Sequence, residues 1–300
     1  MSSPAHRYFV GKHLVVLGAG YIGGEVSRQA RNQGMRVTAL TRNAVAAAGL
    51  RQLGCEAILA DLSGPEWAEQ LAGGADFALN CVSSSGGGVE GYRQSYWAGM
   101  QAILAWARQA KVGTFVYTGS TSVYPQDDGA RVDETAAVGS TDERTALLLA
   151  TDEALRASTT FGRWFILRLA GIYGPGRHQL LDQLRAGRPV SGFGAHRLNL
   201  AHRDDCCAAI WAAFAAPDSV HNEVFNVADD APAPKAEVAA WLAQRLGLPA
   251  PRFEVAEGGR GRRRPVPDRV ILNAKIKHLL GWQPRYPDFR AGYESILATL

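Results

Sequence analysis

Apolar residues in the first two thirds of the chain fall into short unbroken runs, each followed by a longer stretch in which they recur every three or four positions. The runs are HLVVLG (13–18), RVTALT (36–41), EAILA (56–60), FALNCV (77–82), TFVYTGS (114–120) and WFILRLA (164–170). Runs of this length and composition predict strands buried on both faces, as in a parallel sheet. The intervening stretches, such as GGEVSRQARNQG and YWAGMQAILAWARQA, have helical spacing and end near a Gly or Lys that can close a helix. The alternation predicts βαβ units and an α/β, Rossmann-type doubly wound parallel sheet.

After Tyr173 the texture changes to GPGRHQLLDQLRAGRPVSGFG, and prolines gather around 231–267. NEVFNVAD (222–229) still reads as a strand and HRDDCCAAIWAAFAA (202–216) as a helix returning to the main sheet. The expected division is a Rossmann domain over 1–175 with a return at about 198–228, and a smaller, mostly C-terminal substrate-binding region from 176–197 and 229–300.

A composition of 47% hydrophobic and 20% charged residues excludes disorder. The net charge of +4 owes much to GGRGRRRPVPDR (258–269), which points to a local anion site and away from a nucleic-acid surface. Cys55, Cys81, Cys206 and Cys207 have no CxxC or Cys/His ligand spacing, so reduced thiols and no metal are expected. MSSPAHRYF lacks the pattern of a signal peptide, and no apolar run reaches the roughly 18 residues that span a bilayer. A cytoplasmic protein without membrane contact is the expectation.

HLVVLGAGYIGGEV sets Gly18, Gly20 and Gly23 in GxGxxG spacing between a strand and a helix. Such glycines allow a tight turn, close approach of a pyrophosphate to the backbone around Tyr21 and Ile22, and close packing of helix on strand. The second strand ends in Thr41 and Arg42, where an NAD site usually has an acid; Arg pairs with a 2′-phosphate, so NADP(H) is favoured over NAD(H). Asp61, followed by Leu62, either accepts from the adenine amino group or caps the next helix. After the fourth strand, Val82, Ser83 and the small residues up to Gly88 leave room for the cofactor or form a surface loop.

With TFVYTGSTSVYP (114–125), ILRLAGIYGPGR (166–177), LNLAHRDDCCAAI and HLLGWQPRY, nearly the whole chain resembles an extended short-chain dehydrogenase/reductase of the nucleotide-sugar epimerase/dehydratase kind. It is an atypical one, with Leu17 where that group usually has its first glycine. The resemblance implies a catalytic Ser at Ser120 and a YxxxK pair on a helix over ERTALLLATDEAL (143–155), where Thr145 and Leu149 stand instead. Glu153 keeps the family's acidic position, and 126–172 contains no Tyr and no Lys. Without them the phenol that exchanges a proton with the substrate oxygen, and the ammonium that lowers its pKa, are both missing.

The candidates left for that role are Ser120, Tyr124 and Tyr96, with Tyr92, Tyr173, His178, His202 and Arg144 nearby; for Tyr124 and Tyr173 a packed ring is the simpler role. On the substrate side the resemblance implies Tyr173, Arg177 and Arg263, within Arg262–Arg264, and a small molecule that could be a nucleotide-sugar. ALLLA could serve a homodimer or the core. Two functions fit: an NADP(H)-dependent oxidoreductase or epimerase/dehydratase-like enzyme with a non-standard proton donor, and an NADP(H)-binding regulatory or scaffold protein.

Overall fold

The strand run His13–Leu17 (β1) has every residue buried, because it lies at the centre of a sheet covered on both faces. In the computed structural model, which describes residues 8–84, 86–254 and 267–300, seven parallel strands form this sheet. They are β1, β2 (Arg36–Thr41), β3 (Glu56–Leu59), β4 (Ala75–Asn80), β5 (Val112–Ser120), β6 (Phe161–Leu169) and β7 (Glu223–Val227). Their order across the sheet is β7-β6-β5-β4-β1-β2-β3. Every run predicted from the apolar pattern is a strand of it, including the late return at β7.

Alternate side chains of each strand feed opposite cores. Leu14 and Val16 join a cluster with Val26 and Ala30 of helix α1 (Tyr21–Asn32), Leu50 of α2 (Ala44–Gln52) and Ile210 of α5 (Arg203–Phe214). Val15 and Leu17 join a second cluster with Met100 and Ile103 of α3 (Gly99–Gln109) and Leu155 of α4 (Glu143–Arg156). A third cluster, with Leu181, Val238 and Ile296 fully buried, is built from residues after Gly171.

From β1 the chain winds outward through β2 to β3, and from β4 it winds the other way through β5 and β6. The reversal leaves a crevice above the carboxyl ends of β1 and β4, the place where sheets of this kind take ligands. A groove of about 970 Å³ opens at the opposite end of the strands, lined by Lys12, Asp76, Lys111 and Gly113 among others. It is shallow, and its Lys12–Asp76 contact is an exposed ion pair, so the chemistry is sought at the crevice.

Candidate functional site

The Gly-rich turn sits in that crevice, and two of its three motif glycines have no room for a side chain. Gly18 has φ of +96°, and a Cβ there would come within 2.8 Å of the Val82 nitrogen. At Gly23 a Cβ would meet the Gly18 carbonyl at 2.5 Å and the Cys81 sulfur at 2.6 Å. Gly20 differs: nothing lies within 4 Å of its Cβ position, which is open space beside the first turn of α1. No side chain caps this helix and its first turn holds no acid, so its free amides and dipole suit an anionic group. Ile22 is buried beneath, while Val82 and the exposed Ser83 border the crevice from β4.

At the end of β2, Thr41 is buried and its hydroxyl accepts from the Asn43 amide. Arg42 is exposed and contacts Asp61 at 3.2 Å. Burial alone would raise the Asp61 carboxyl, but hydrogen bonds from Ser63 and Arg42 outweigh it and hold the group below its ordinary range. Asp61 thus stays ionised, accepts from the Ser63 amide at 2.9 Å and aims Arg42. Leu62 turns into the core, against Gly99. Replacing Arg42 with Ala is expected to weaken NADP+ about tenfold relative to NAD+, measured as a ratio of Kd values, with the NAD+ value nearly unchanged.

The helix that should carry the catalytic pair has other work. Thr145 is buried at the third position of α4, where its hydroxyl accepts from the Thr141 and Asp142 amides at 2.9 and 3.1 Å. Asp142 answers by accepting from the Thr145 amide at 2.8 Å, completing a capping box. Leu149 is half-buried against the core. Ser120 is half-exposed at the end of β5, where its oxygen caps the turn Thr121–Val123 and its hydroxyl donates to Ser122 at 2.9 Å.

Tyr124 and Tyr173 must be removed from the cleft-facing candidates. Tyr124 is 0% exposed; it donates to Asn226 and accepts from Arg168, both at 2.9 Å. Arg168 in turn holds Asp152 of α4 in a buried ion pair at 2.9 Å. Tyr173 lies in the third core, its ring 5.0 Å from that of Tyr293 and edge-on to His202 at 5.3 Å. Tight packing beneath the YGPG turn, which the short strand pairing of 171–173 with 200–202 imposes, explains both its burial and its distance from solvent. Arg263 lies outside the described residues.

Tyr96 occupies a different environment. It belongs to a π-helical segment, Arg93–Ala98, and packs against the cores of both sheet faces, which places it over the sheet's upper edge. Inserted π turns often mark functional sites. Its ring stacks at a tilt on Tyr92, with centroids 5.0 Å apart. Among the described residues its hydroxyl has no hydrogen-bond partner, whereas Tyr21 donates to the Pro175 carbonyl at 2.9 Å. Burial pushes the Tyr96 phenol up to about 12, Tyr92 adds to the rise, and the Arg177 cation opposes it. Arg177 itself lies 5.6 Å over the Tyr21 ring, and Arg203 lies 5.5 Å over the same ring. Arg203 carries no local sequence signal of a site role, and only the fold brings it to the Gly-rich turn.

Two buried groups after residue 200 have opposed titration. His202 Nδ1 accepts from the Asp204 amide at 3.2 Å, so its proton is on Nε2, and burial lowers the ring to about 4. Burial, with Asp230 and Asp288, raises Asp229 to about 8. The native state therefore holds an extra proton on Asp229 between its unfolded value and about 8, and stability falls as pH rises through that window. His202 works the other way, with stability rising from about 4 to its ordinary value of 6.5. Above that value only Asp229 still titrates of the two. Asp229→Asn is expected to gain stability over the natural chain as pH rises from 6.5 to 8.5; melting curves at both ends of this window check it.

A glycine turn at an uncapped helix end, set at the switch point of a parallel sheet, defines a dinucleotide-binding α/β protein. The profile of the NAD dependent epimerase/dehydratase family matches residues 14–228, and the chain belongs to that family. Protein YeeZ of Escherichia coli K12 is 30% identical over 207 residues, 68% of each chain. The 2-alkyl-3-oxoalkanoate reductase of Stenotrophomonas maltophilia is 26% identical over 265 residues, 79% of this chain and 76% of its own. The fold is shared with UDP-glucuronic acid 4-epimerase from Bacillus cereus, solved with UDP-glucuronic acid and NAD, at a TM-score of 0.79 and 19% identity. That likeness covers 96% of this chain and 100% of that one. No helix among the described residues is long and apolar enough to cross a membrane.

Proposed function

We propose that the protein is an NADP(H)-dependent reductase of a small carbonyl compound, with Tyr96 as its proton donor. The observation that carries this reading is the Tyr96 hydroxyl, unpartnered among the described residues over the sheet's upper edge, while Thr145 and Leu149 serve the helix and the core. The open space at Gly20 and the uncapped helix end fit a pyrophosphate, and Arg42 fits a 2′-phosphate. When bound there, a reduced nicotinamide supplies hydride to the carbonyl carbon. Tyr96 gives the carbonyl oxygen a proton and recovers one from water. A phenol at about 12 is protonated at neutral pH and so holds the proton that carbonyl reduction requires. Arg177 steadies the phenolate left behind.

The name of the related oxoalkanoate reductase also supports a carbonyl substrate. Residues 176–197 and 229–300 are proposed to supply the other wall of the substrate site. NADPH oxidation over a panel of aldehydes, ketones and nucleotide-sugars tests the reading. Turnover of carbonyl compounds is expected, and Tyr96→Phe should lower kcat about 100-fold or more with the NADP+ Kd unchanged. Tight NADPH binding with no oxidation by any compound would instead favour the regulatory alternative.

A further inference from the structure

The start of α4 carries a cation whose acidic neighbours are otherwise engaged. Arg144 is half-buried, with its guanidinium 5.8 Å over the Tyr92 ring. Among the described residues no carboxylate lies within ion-pair distance of it. Asp142 is committed to capping α4, and Glu143 pairs with Arg93 at 2.8 Å. Arg93 also meets Glu90 at 3.5 Å, so that arginine has two carboxylate partners, whereas Arg144 feels the Asp142 charge only from beyond ion-pair distance. Tyr92 joins Arg144 to Tyr96, whose ring is 5.0 Å away. A flat cation and two aromatic rings thus form one continuous wall that ends at the Tyr96 ring.

Resting on the reductase reading, we propose that this wall selects the substrate class: a flat, conjugated oxo acid, with its carboxylate on Arg144 and its apolar body along the exposed edges of Tyr92 and Tyr96. A guanidinium offers a carboxylate two parallel N–H donors, and its attachment to a helix N-terminus adds to the attraction for an anion. The rings supply apolar edges that a sugar, ringed with hydroxyls, does not match. Arg144 is a specificity residue here, and Tyr96 keeps the proton.

Calorimetric titration of the NADP+-loaded protein with cinnamate and with its neutral isostere cinnamamide tests the assignment. Cinnamate is expected to bind at least about tenfold more tightly. Arg144→Gln should erase that difference, Arg144→Lys should keep part of it, and Tyr92→Leu should weaken both ligands. Equal affinity for acid and amide overturns the proposal, as does absence of binding by cinnamate, or a preference that survives Arg144→Gln and disappears in Arg177→Gln. Melting curves of each variant confirm that the fold is intact. NADP+ affinity is measured first and separately. Its absence sinks the reductase reading, whereas normal NADP+ binding and carbonyl turnover without acid preference sink only the substrate assignment.

Discussion

Gly23→Ala is expected to unfold the protein several degrees earlier and to abolish measurable NADP+ binding. The added Cβ would press on the Gly18 carbonyl at 2.5 Å, on the Cys81 sulfur at 2.6 Å and on Val16 at 3.0 Å, and two of these belong to rigid strand and turn. Overpacking of this kind costs about 3 kcal/mol, or roughly 5 °C of melting temperature for a chain of this size. Relief requires α1 to move off β1, which pulls the Gly-rich turn out of register with the helix end. Gly20→Ala is the contrasting case. Its φ of −92° suits Ala and its ψ of −138° does not, so about 1 kcal/mol of strain is expected. Its methyl meets no protein atom within 4 Å but enters the space assigned to pyrophosphate, so cofactor affinity should fall more than stability. Parallel melting and NADP+ titration of the two variants separate the effects.

Asp152→Ala should be the most damaging single change in α4. Arg168 donates to Asp152 from Nε at 3.1 Å and Nη2 at 2.9 Å, with the two side chains 3% and 5% exposed. Removing the carboxylate strands a guanidinium that cannot give up its proton, at a cost of about 3–5 kcal/mol. The same cation holds the Tyr124 hydroxyl, so the loss extends to the turn after β5. Arg168→Met should cost less, because burial already pushes the Asp152 carboxyl up and it can take a proton once its partner is gone. Denaturant titration of the two variants and of the double variant Asp152→Leu/Arg168→Met checks the order, with the double variant more stable than Asp152→Ala.

Residue pattern alone carried the sheet, its parallel sense and the Gly-rich turn, since each follows from local sequence: unbroken apolar runs, helical spacing and glycines in GxGxxG spacing between a strand and a helix. FILRLA also held a usable sign of the Asp152–Arg168 pair, because an arginine inside a buried strand needs a carboxylate partner. What separates Tyr96 from Tyr124 was not legible. Both follow strands that end at the crevice, and only the three-dimensional fold shows one hydroxyl engaged by Asn226 and Arg168 and the other without a partner among the described residues. The role of Thr145 was half legible: a residue three places after Asp142 is in capping position, but its coincidence with the tyrosine position of YxxxK masks that role. Nor does RQSYWA announce a π-helical turn, which arises from how α3 and its preceding turns pack over the sheet.

The central claim is that this family member has moved its proton donor from α4 to the π-helical segment before α3. A crystal structure with NADP+ and an unreactive carbonyl analogue at nicotinamide C4 tests it most directly. The Tyr96 oxygen should lie about 2.6–3.2 Å from the carbonyl oxygen, with Thr145 still closed in its capping box. A carbonyl oxygen held by Ser120 or another group, with Tyr96 out of hydrogen-bond reach, would contradict the account.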